Sequence, residues 1–165
     1  MTTLTPWPNI KNEMVHVKHT TIAFDIIEEM IALGEGYKTE LREALPSVED
    51  IARTFCAFAN AKGGTFFVGI TRTGELKHNS NKYKELNRIE KAASLLSPTP
   101  AFAVEAVDFK NHELLLIRVH ENKQKPCYMD EEGLKTVYIR TDKGNTTASR
   151  KDLKRIMSQG NTHGQ

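Results

Sequence analysis

The sequence has few of the features that mark specialised protein classes. Its 165 residues include two cysteines, and no apolar run approaches the roughly 20 residues of a membrane-spanning helix. Cys56 and Cys127 are too few for a disulfide framework or a four-cysteine zinc site within one chain. The first residues lack the basic and apolar regions of a signal peptide. These absences predict a cytoplasmic protein with reduced thiols and no membrane partner.

Charge is nearly balanced overall but is distributed unevenly. The chain has 23 Lys and Arg against 21 Asp and Glu, a net charge of +2, which is too small for a histone-like protein. Residues 1–60 contain five basic and nine acidic side chains. Residues 136–155 contain six basic and two acidic side chains. The C-terminal end is therefore the predicted contact surface for an anion.

Apolar periodicity and turn residues predict a single α/β (α+β) domain. Helices are expected from 21 to the stop signal Gly34, over 47–60 and 82–96, and from the cap Ser149 to Met157. Strands are expected over 37–42, 65–71, 101–109, 113–120 and 136–141. This order predicts a mixed sheet covered by helices.

The domain is expected to span residues 21–158. Two prolines and weak periodicity predict an irregular N-terminal arm over 1–20, and residues 159–165 are expected to form a disordered tail.

Five motifs occur in one order along the chain. They are Glu35-x4-Glu40-Leu41-Arg42, Ile51-Ala52-x5-Phe58-Ala59-Asn60-x2-Gly63-Gly64-x4-Gly69-Ile70, Ser97-Pro98, Lys125-Pro126-x-Tyr128 and Tyr138-Ile139-Arg140. With them the chain resembles the Schlafen AlbA-like domain over about 34–153. This domain, also described as a divergent AAA-type or DNA-binding domain, occurs in bacterial and archaeal regulators and in animal Schlafens. The resemblance implies a mixed α/β domain that binds nucleic acid.

Some animal members of this family are metal-dependent RNA endonucleases that use three carboxylates, and the resemblance raises this activity as a second expectation. Glu35 and Glu40 match the first two positions, but the third is Arg72. A guanidinium there favours an ion pair with a carboxylate over a metal. Mg²⁺ or Mn²⁺ at Glu35 and Glu40 is therefore expected only if the chain is a nuclease, with Glu75 or Asp108 as replacement ligands. A surface ion pair between Glu40 and Arg42 is the structural alternative.

The glycine-containing segment from Asn60 to Gly64 follows a helix and precedes a strand. It does not match the phosphate-binding pattern G-x4-G-K-[ST], so it predicts no ATP site. We expect Asn60 to bond exposed backbone at the turn and the glycines to supply positive φ angles. Cys56 is expected to pack without chemical function.

Candidate nucleic-acid contacts combine cations for phosphates with aromatic rings for bases. They are Arg42, Lys62, Lys125, Tyr128, Tyr138, Arg140, Lys143, Arg150, Lys151 and Arg155. The alternative is that these are solvated charges and a strand tyrosine. No cofactor is predicted.

Three functions remain open from the sequence. The first is a DNA- or RNA-binding protein, regulatory in some settings, that contacts the phosphate backbone through its basic C-terminal surface. The second is a metal-dependent endoribonuclease with an altered carboxylate site. The third is a non-catalytic assembly domain. A homodimer is a further hypothesis, with the apolar helix after residue 21 either forming its interface or packing on its own domain.

Overall fold

The structure is a computed structural model that describes residues 17–19, 24–77 and 82–163, with side chains over 25–77 and 85–159. The elements are, in chain order, β1 (Val17–His19), α1 (Phe24–Leu33), β2 (Thr39–Arg42), α2 (Val48–Asn60), β3 (Gly64–Val68), α3 (Lys82–Ser94), β4 (Leu96–Ser97), β5 (Phe102–Phe109), β6 (His112–Val119), β7 (Tyr128–Glu131), β8 (Leu134–Thr136), β9 (Tyr138–Thr141), β10 (Gly144–Thr147) and α4 (Arg150–His163). The predicted α/β class with a mixed sheet and covering helices is confirmed.

A five-stranded mixed sheet lies at the centre, with the strand order β1-β5-β6-β3-β2. The outer pairs β1–β5 and β2–β3 are parallel, and the inner pairs β5–β6 and β6–β3 are antiparallel. A second sheet has the order β4-β7-β8, and β9 and β10 form a separate hairpin that packs against α2. β2 is an edge strand of this sheet, so within the described residues no further strand pairs with its outer side.

Helices cover both faces of the central sheet because successive strand side chains point to opposite faces. Phe66 joins the larger apolar cluster, which contains the buried faces of α2 and α3. Its neighbour Phe67 joins the smaller cluster on the other face, with Ile27 of α1 and Leu41 of β2. The chain thus has two core layers separated by one sheet.

Helix α2 and the turn that leads into β3 are determined by residues at the two ends of the helix. The Oγ atom of Ser47 caps α2 by accepting a hydrogen bond from the N–H of Asp50 at 3.2 Å. At the other end, Gly63 has a φ of +81° and donates its N–H to the carbonyl of Phe58. The turn therefore needs glycine, as the sequence predicts.

The predicted strands over 101–109 and 113–120 are confirmed as β5 and β6, which pair as a hairpin joined by Lys110 and Asn111 at φ angles of 50° and 64°. Several strands were not predicted. β1, β4, β7 and β10 contain two to four residues each, too few to show a period of two. The predicted strand over 136–141 is interrupted at Val137, where β8 ends and β9 begins.

The structure differs from the sequence prediction in both terminal segments. Val17–His19, inside the predicted irregular arm, form β1 because their backbone pairs in parallel with β5 at the sheet edge. α4 continues to His163, past the predicted end at Met157 and into the predicted tail, because no proline stops it. Residues 1–16, 20–23 and 164–165 lie outside the described residues.

Candidate functional site

The Glu35-x4-Glu40 motif is positioned by the start of the edge strand β2. Gly34, at a φ of +74°, ends α1 by donating its N–H to the carbonyl of Ile31 at 3.0 Å. Glu35 then turns back, and its Oε2 atom accepts a hydrogen bond from the N–H of Leu41 at 3.0 Å. Glu40 lies on β2 itself and is only 4% exposed. The two carboxylates are therefore fixed by the backbone at one end of β2.

Both carboxylates line a cleft of about 330 Å³. The other lining residues come from β2, from α2, from the loop after β3 and from the β9–β10 hairpin. They are Arg42, Asp50, Arg53, Arg72, Tyr138, Arg140, Asp142, Lys143, Gly144 and Asn145. The structure thus brings together six residues that the sequence singled out as candidate contacts or carboxylates, and it adds Arg72.

Arginines engage both motif carboxylates directly. The Nε atom of Arg72 lies 3.2 Å from an oxygen of Glu35. Glu40 is shared, because Oε2 lies 2.7 Å from Nε of Arg42 and Oε1 lies 2.8 Å from a terminal nitrogen of Arg140. The predicted Glu40–Arg42 pair is present, but Glu40 is buried, so this is not the surface ion pair that the sequence suggested.

Arg140 is built into the protein. Its side chain is 0% exposed and donates to the carbonyls of Gly36 and Thr39, each at 2.9 Å, and to Oδ1 of Asn145 at 2.8 Å. Its guanidinium also lies 4.8 Å from the ring centroid of Phe58. Arg140 therefore ties β9 to the start of β2, and it is not the exposed phosphate contact predicted from the sequence.

Tyr138 belongs to a second hydrogen-bonded group at the cleft wall. Its hydroxyl donates to Glu131 at 3.1 Å and accepts from Nε of Arg53 at 3.2 Å, while Arg53 also contacts Asp50 at 2.7 Å. Burial, reinforced by the Glu131 carboxylate, raises the pKa of Tyr138 above its ordinary value. Burial opposes the charge of Arg53, but hydrogen bonds to Tyr138, Asp50 and Glu131 outweigh it and raise the pKa of Arg53. Tyr138 is a protonated wall residue with little surface for base stacking.

Sequence reasoning missed Asp50, Arg53, Asp142 and Asn145 as cleft residues. One signal was available for the first two, because an Asp and an Arg three residues apart on a helix lie on one face. Asn145 gave no such signal. Its amide links Arg140 to the Thr54 hydroxyl through hydrogen bonds of 2.8 and 2.9 Å, which depend on the hairpin packing against α2.

The cleft does not fit the divalent metal that the resemblance implies in nucleases. Within the described residues, no group of three or more His, Cys, Asp or Glu side chains could hold a metal ion. Glu35 and Glu40 already face guanidinium groups, which would repel a cation. The suggested replacements Glu75 and Asp108 are not among the lining residues, and Glu75 lies 3.7 Å from Lys77.

The remaining candidate contacts lie outside the cleft lining. The side chain of Lys125 is 3% exposed and lies 2.7 Å from Glu121, so it is not presented as a surface cation. Tyr128 is half-buried, with Lys135 5.0 Å from its ring centroid. Lys62 is exposed at the end of α2. The candidate contacts on α4, which are Arg150, Lys151 and Arg155, are exposed.

The α4 residues follow the β9–β10 hairpin along the chain and are not among the residues that line the cleft. Lys143 lies in the turn between β9 and β10, whereas Thr147 pairs with Tyr138 at the other end of the hairpin. α4 begins beyond that end, after four strand residues that span about 13 Å. The predicted basic contacts near the C-terminal end thus include one residue that lines the cleft, Lys143, and others that lie on α4.

Asn60 is an architectural residue, as expected, but its partners are distant in sequence. Its amide nitrogen donates to the carbonyls of Cys127 and Tyr138, each at 2.9 Å, and its oxygen accepts from the N–H of Cys127 at 2.7 Å. Hydrogen bonding with Cys56 and burial raise the pKa of the Cys127 thiol far above its ordinary value. These hydrogen bonds join α2 to the start of β7 and to β9.

Comparisons with known proteins agree with this fold. The structure of the DIP2311 protein from Corynebacterium diphtheriae is similar, with a TM-score of 0.54 and 17% sequence identity. The match covers 75% of this chain but only 29% of that protein. The search of curated proteins found no match. No helix in the described part of the chain is long and apolar enough to cross a membrane. The profile of the family "Schlafen, AlbA_2" matches residues 35–149, and the chain therefore belongs to this family.

Proposed function

We propose that this protein binds DNA or RNA through the phosphate backbone, using a basic C-terminal surface. We define this surface as the exposed cations Lys143, Arg150, Lys151, Lys154 and Arg155. The observation that carries the proposal is the exposure of all five side chains within one segment of a Schlafen, AlbA_2 domain. Arg155 contacts Asp152 at 3.2 Å on the helix surface, where such a pair is weak and a phosphate competes with it.

Backbone contact fits this arrangement better than base reading. The cations lie on a helix surface and in a hairpin turn, and the nearby tyrosines Tyr128 and Tyr138 are at least half-buried. Contacts to phosphates fix a protein on nucleic acid without reading sequence. The expected affinity is therefore strongly salt-dependent and weakly sequence-dependent.

Fluorescence anisotropy of labelled single-stranded DNA, duplex DNA and an RNA hairpin tests the proposal at about 50 and about 200 mM salt. We expect binding that weakens with salt, and at least a tenfold loss of affinity in the Arg150→Glu/Lys151→Glu variant, which removes two phosphate contacts. Acidic side chains are tolerated at a helix N-terminus, so α4 is expected to stay folded.

The matched control is Lys91→Glu/Lys123→Glu, which makes the same charge change at two exposed lysines outside the basic C-terminal surface. Equal losses in the two double variants would indicate a general charge effect. Absence of binding to every probe at tens of micromolar protein would overturn the proposal.

The nuclease alternative is tested on the same samples by product gels with Mn²⁺. The Glu35 and Glu40 pair in a cleft is the observation in its favour, and the arginines on both carboxylates are the observation against it. We expect the probes to stay intact. Mn²⁺-dependent cleavage that Glu35→Gln abolishes would establish the alternative.

A second proposal concerns assembly into a homodimer, and it is supported by an apolar stripe on the surface of α1. Ile26 and Leu33 are 51% and 78% exposed and lie seven residues apart, on one face of the helix, while Ile27 packs inward. α1 therefore packs on its own sheet and also presents apolar side chains outward. We propose that a second copy of this chain covers the stripe. Light scattering at high concentration is expected to give a dimer mass that Leu33→Glu reduces to that of a monomer.

A further inference from the structure

Arg42 and Arg72 both line the cleft, and each forms an ion pair with a motif carboxylate. In each, the Nε atom faces a motif carboxylate, at 2.7 Å from Glu40 and 3.2 Å from Glu35. A guanidinium has five N–H donors in a planar fork. Anchoring through Nε leaves the two terminal nitrogens, which in neither arginine donate to any other group among the described residues. Both residues line the cleft, and Arg42 is 30% and Arg72 70% exposed.

The backbone brings these two arginines together and limits their movement. The carbonyl of Arg42 accepts hydrogen bonds from the N–H groups of Gly69 and Ile70, at 2.8 and 3.1 Å. The loop that carries Arg72 is closed by hydrogen bonds between Thr71 and Glu75, through both backbone and side chain. The two forks therefore start from adjoining segments with little backbone freedom.

The charge of the cleft is suited to an anion and not to a divalent cation. The lining includes five cations, Arg42, Arg53, Arg72, Arg140 and Lys143, and four carboxylates, Glu35, Glu40, Asp50 and Asp142. The first three carboxylates each contact an arginine. The exposed Lys143 supplies a further donor at the hairpin turn.

We propose that the cleft binds a phosphate group directly through the terminal nitrogens of Arg42 and Arg72, assisted by Lys143, without a metal ion. Arginine forks match phosphate oxygens in geometry and charge. Glu35 and Glu40, which would be metal ligands in a nuclease, here act as anchors that orient the two guanidinium groups. This inference rests on the proposed function, because the phosphate is taken to be that of a nucleic acid, either an internal phosphodiester or a terminal monoester.

Isothermal titration calorimetry with inorganic pyrophosphate in EDTA tests the site itself. We expect the wild-type protein to bind pyrophosphate in EDTA, where no divalent metal ion is available. Arg72→Gln is expected to weaken binding at least tenfold, as for the loss of a charge-assisted hydrogen bond. Arg72 is mostly exposed, so this change is expected to leave the fold intact.

The matched control is Arg118→Gln. Arg118 is 50% exposed and is also anchored through Nε to a carboxylate, Glu105, at 2.8 Å, but it lies outside the cleft lining. This variant is expected to bind pyrophosphate as the wild type does. Equal affinities for the Arg72→Gln and wild-type proteins, or binding that requires Mg²⁺, would overturn the inference.

A direct titration with MnCl₂ tests whether Arg42 and Arg72 take the place of a metal ion in the cleft. We expect no binding by the wild-type protein up to millimolar Mn²⁺. Arg72→Asp, which supplies the third carboxylate, is expected to gain Mn²⁺ binding. Micromolar binding of Mn²⁺ by the wild-type protein would contradict the inference whatever the variant does.

Labelled oligonucleotides separate this site from the basic C-terminal surface and identify the source of the phosphate. Probes with a 5′-phosphate and a 5′-hydroxyl distinguish a terminal monoester from an internal phosphodiester. If Arg150→Glu/Lys151→Glu weakens oligonucleotide binding and Arg72→Gln does not, the proposed function stands and the cleft inference fails. If pyrophosphate binds but no oligonucleotide does, the proposed function fails and the phosphate site stands.

Discussion

At the residue scale, the sequence showed which side chains were charged or polar but not which residues they would contact. Glu40 was expected to pair with Arg42, and it does, at 2.7 Å. Its second partner, Arg140, lies 100 residues further along and makes the pair a buried cluster. Asn60 shows the same pattern, since its expected backbone partners at the turn are replaced by Cys127 and Tyr138. Such partners depend on packing between elements that are far apart in sequence.

Glu40→Gln is expected to lower the free energy of unfolding by about 3 kcal/mol, since it leaves Arg42 and Arg140 without their shared carboxylate in a buried site. Urea denaturation measures the change. Glu75→Gln, at a carboxylate that is 70% exposed, is the control and is expected to shift stability by less than about 0.5 kcal/mol. A loss below about 1 kcal/mol in Glu40→Gln would contradict the structural role of the cluster.

Asn60→Ala is expected to cost about 3 kcal/mol of stability, because it leaves the N–H of Cys127 and the carbonyl of Tyr138 without the amide that pairs with them in a buried site. Thermal or urea unfolding provides the measurement, with the exposed Gln124→Ala as the control. Equal stability of these two variants would show that the three hydrogen bonds are replaced by others.

At the element scale, local signals were sufficient where a cap or glycine acts within a few residues. The start of α2 at Ser47, the glycine turn after α2 and the strands that became β5 and β6 were all predicted. The short strands β1, β4, β7 and β10 were not. Their backbone groups find partners only in other segments, so no local pattern marks them.

Gly63→Ala tests the turn between α2 and β3. A Cβ atom there would lie 2.6 Å from the carbonyl oxygen of Val119, and φ is +81°. Gly133 offers a matched control, with a φ of +86° and no atom within 4 Å of the position that a Cβ would take. We expect Gly133→Ala to cost about 1 kcal/mol from the backbone alone, and Gly63→Ala about 3 kcal/mol because of the added clash. Equal costs in chemical denaturation would mean that Val119 moves aside freely.

At the scale of the whole molecule, the two core layers differ in how deeply they bury their helices. Nine residues of α2 are buried, from Ile51 to Asn60 with the exception of Arg53. Among the described side chains of α1, which run from residue 25 to 33, only Ile27 is buried, with Met30 and Ile31 partly covered. The α1 layer therefore contributes less buried apolar surface than the α2 layer.

Native-state hydrogen exchange is expected to show this difference. Amides of α1 are expected to exchange through local opening, at a free energy below that of global unfolding, whereas the central amides of α2 exchange only through global unfolding. Measuring exchange at several denaturant concentrations distinguishes the two routes. The same opening free energy and the same denaturant dependence in both helices would contradict the prediction.

The sequence by itself determined the α/β class, the caps and turns, the family motifs and the carboxylate position taken by Arg72. These depend on local hydrophobic period, on turn chemistry and on residue type. Only the tertiary structure decided that Glu35, Glu40, Arg72 and Lys143 share one cleft while Arg150 lies beyond the hairpin. It also buried Arg140 and Lys125, which look identical to exposed cations in the sequence. The physical reason is that burial and pairing depend on strand order and helix packing, which join residues as far apart in sequence as Gly36 and Arg140.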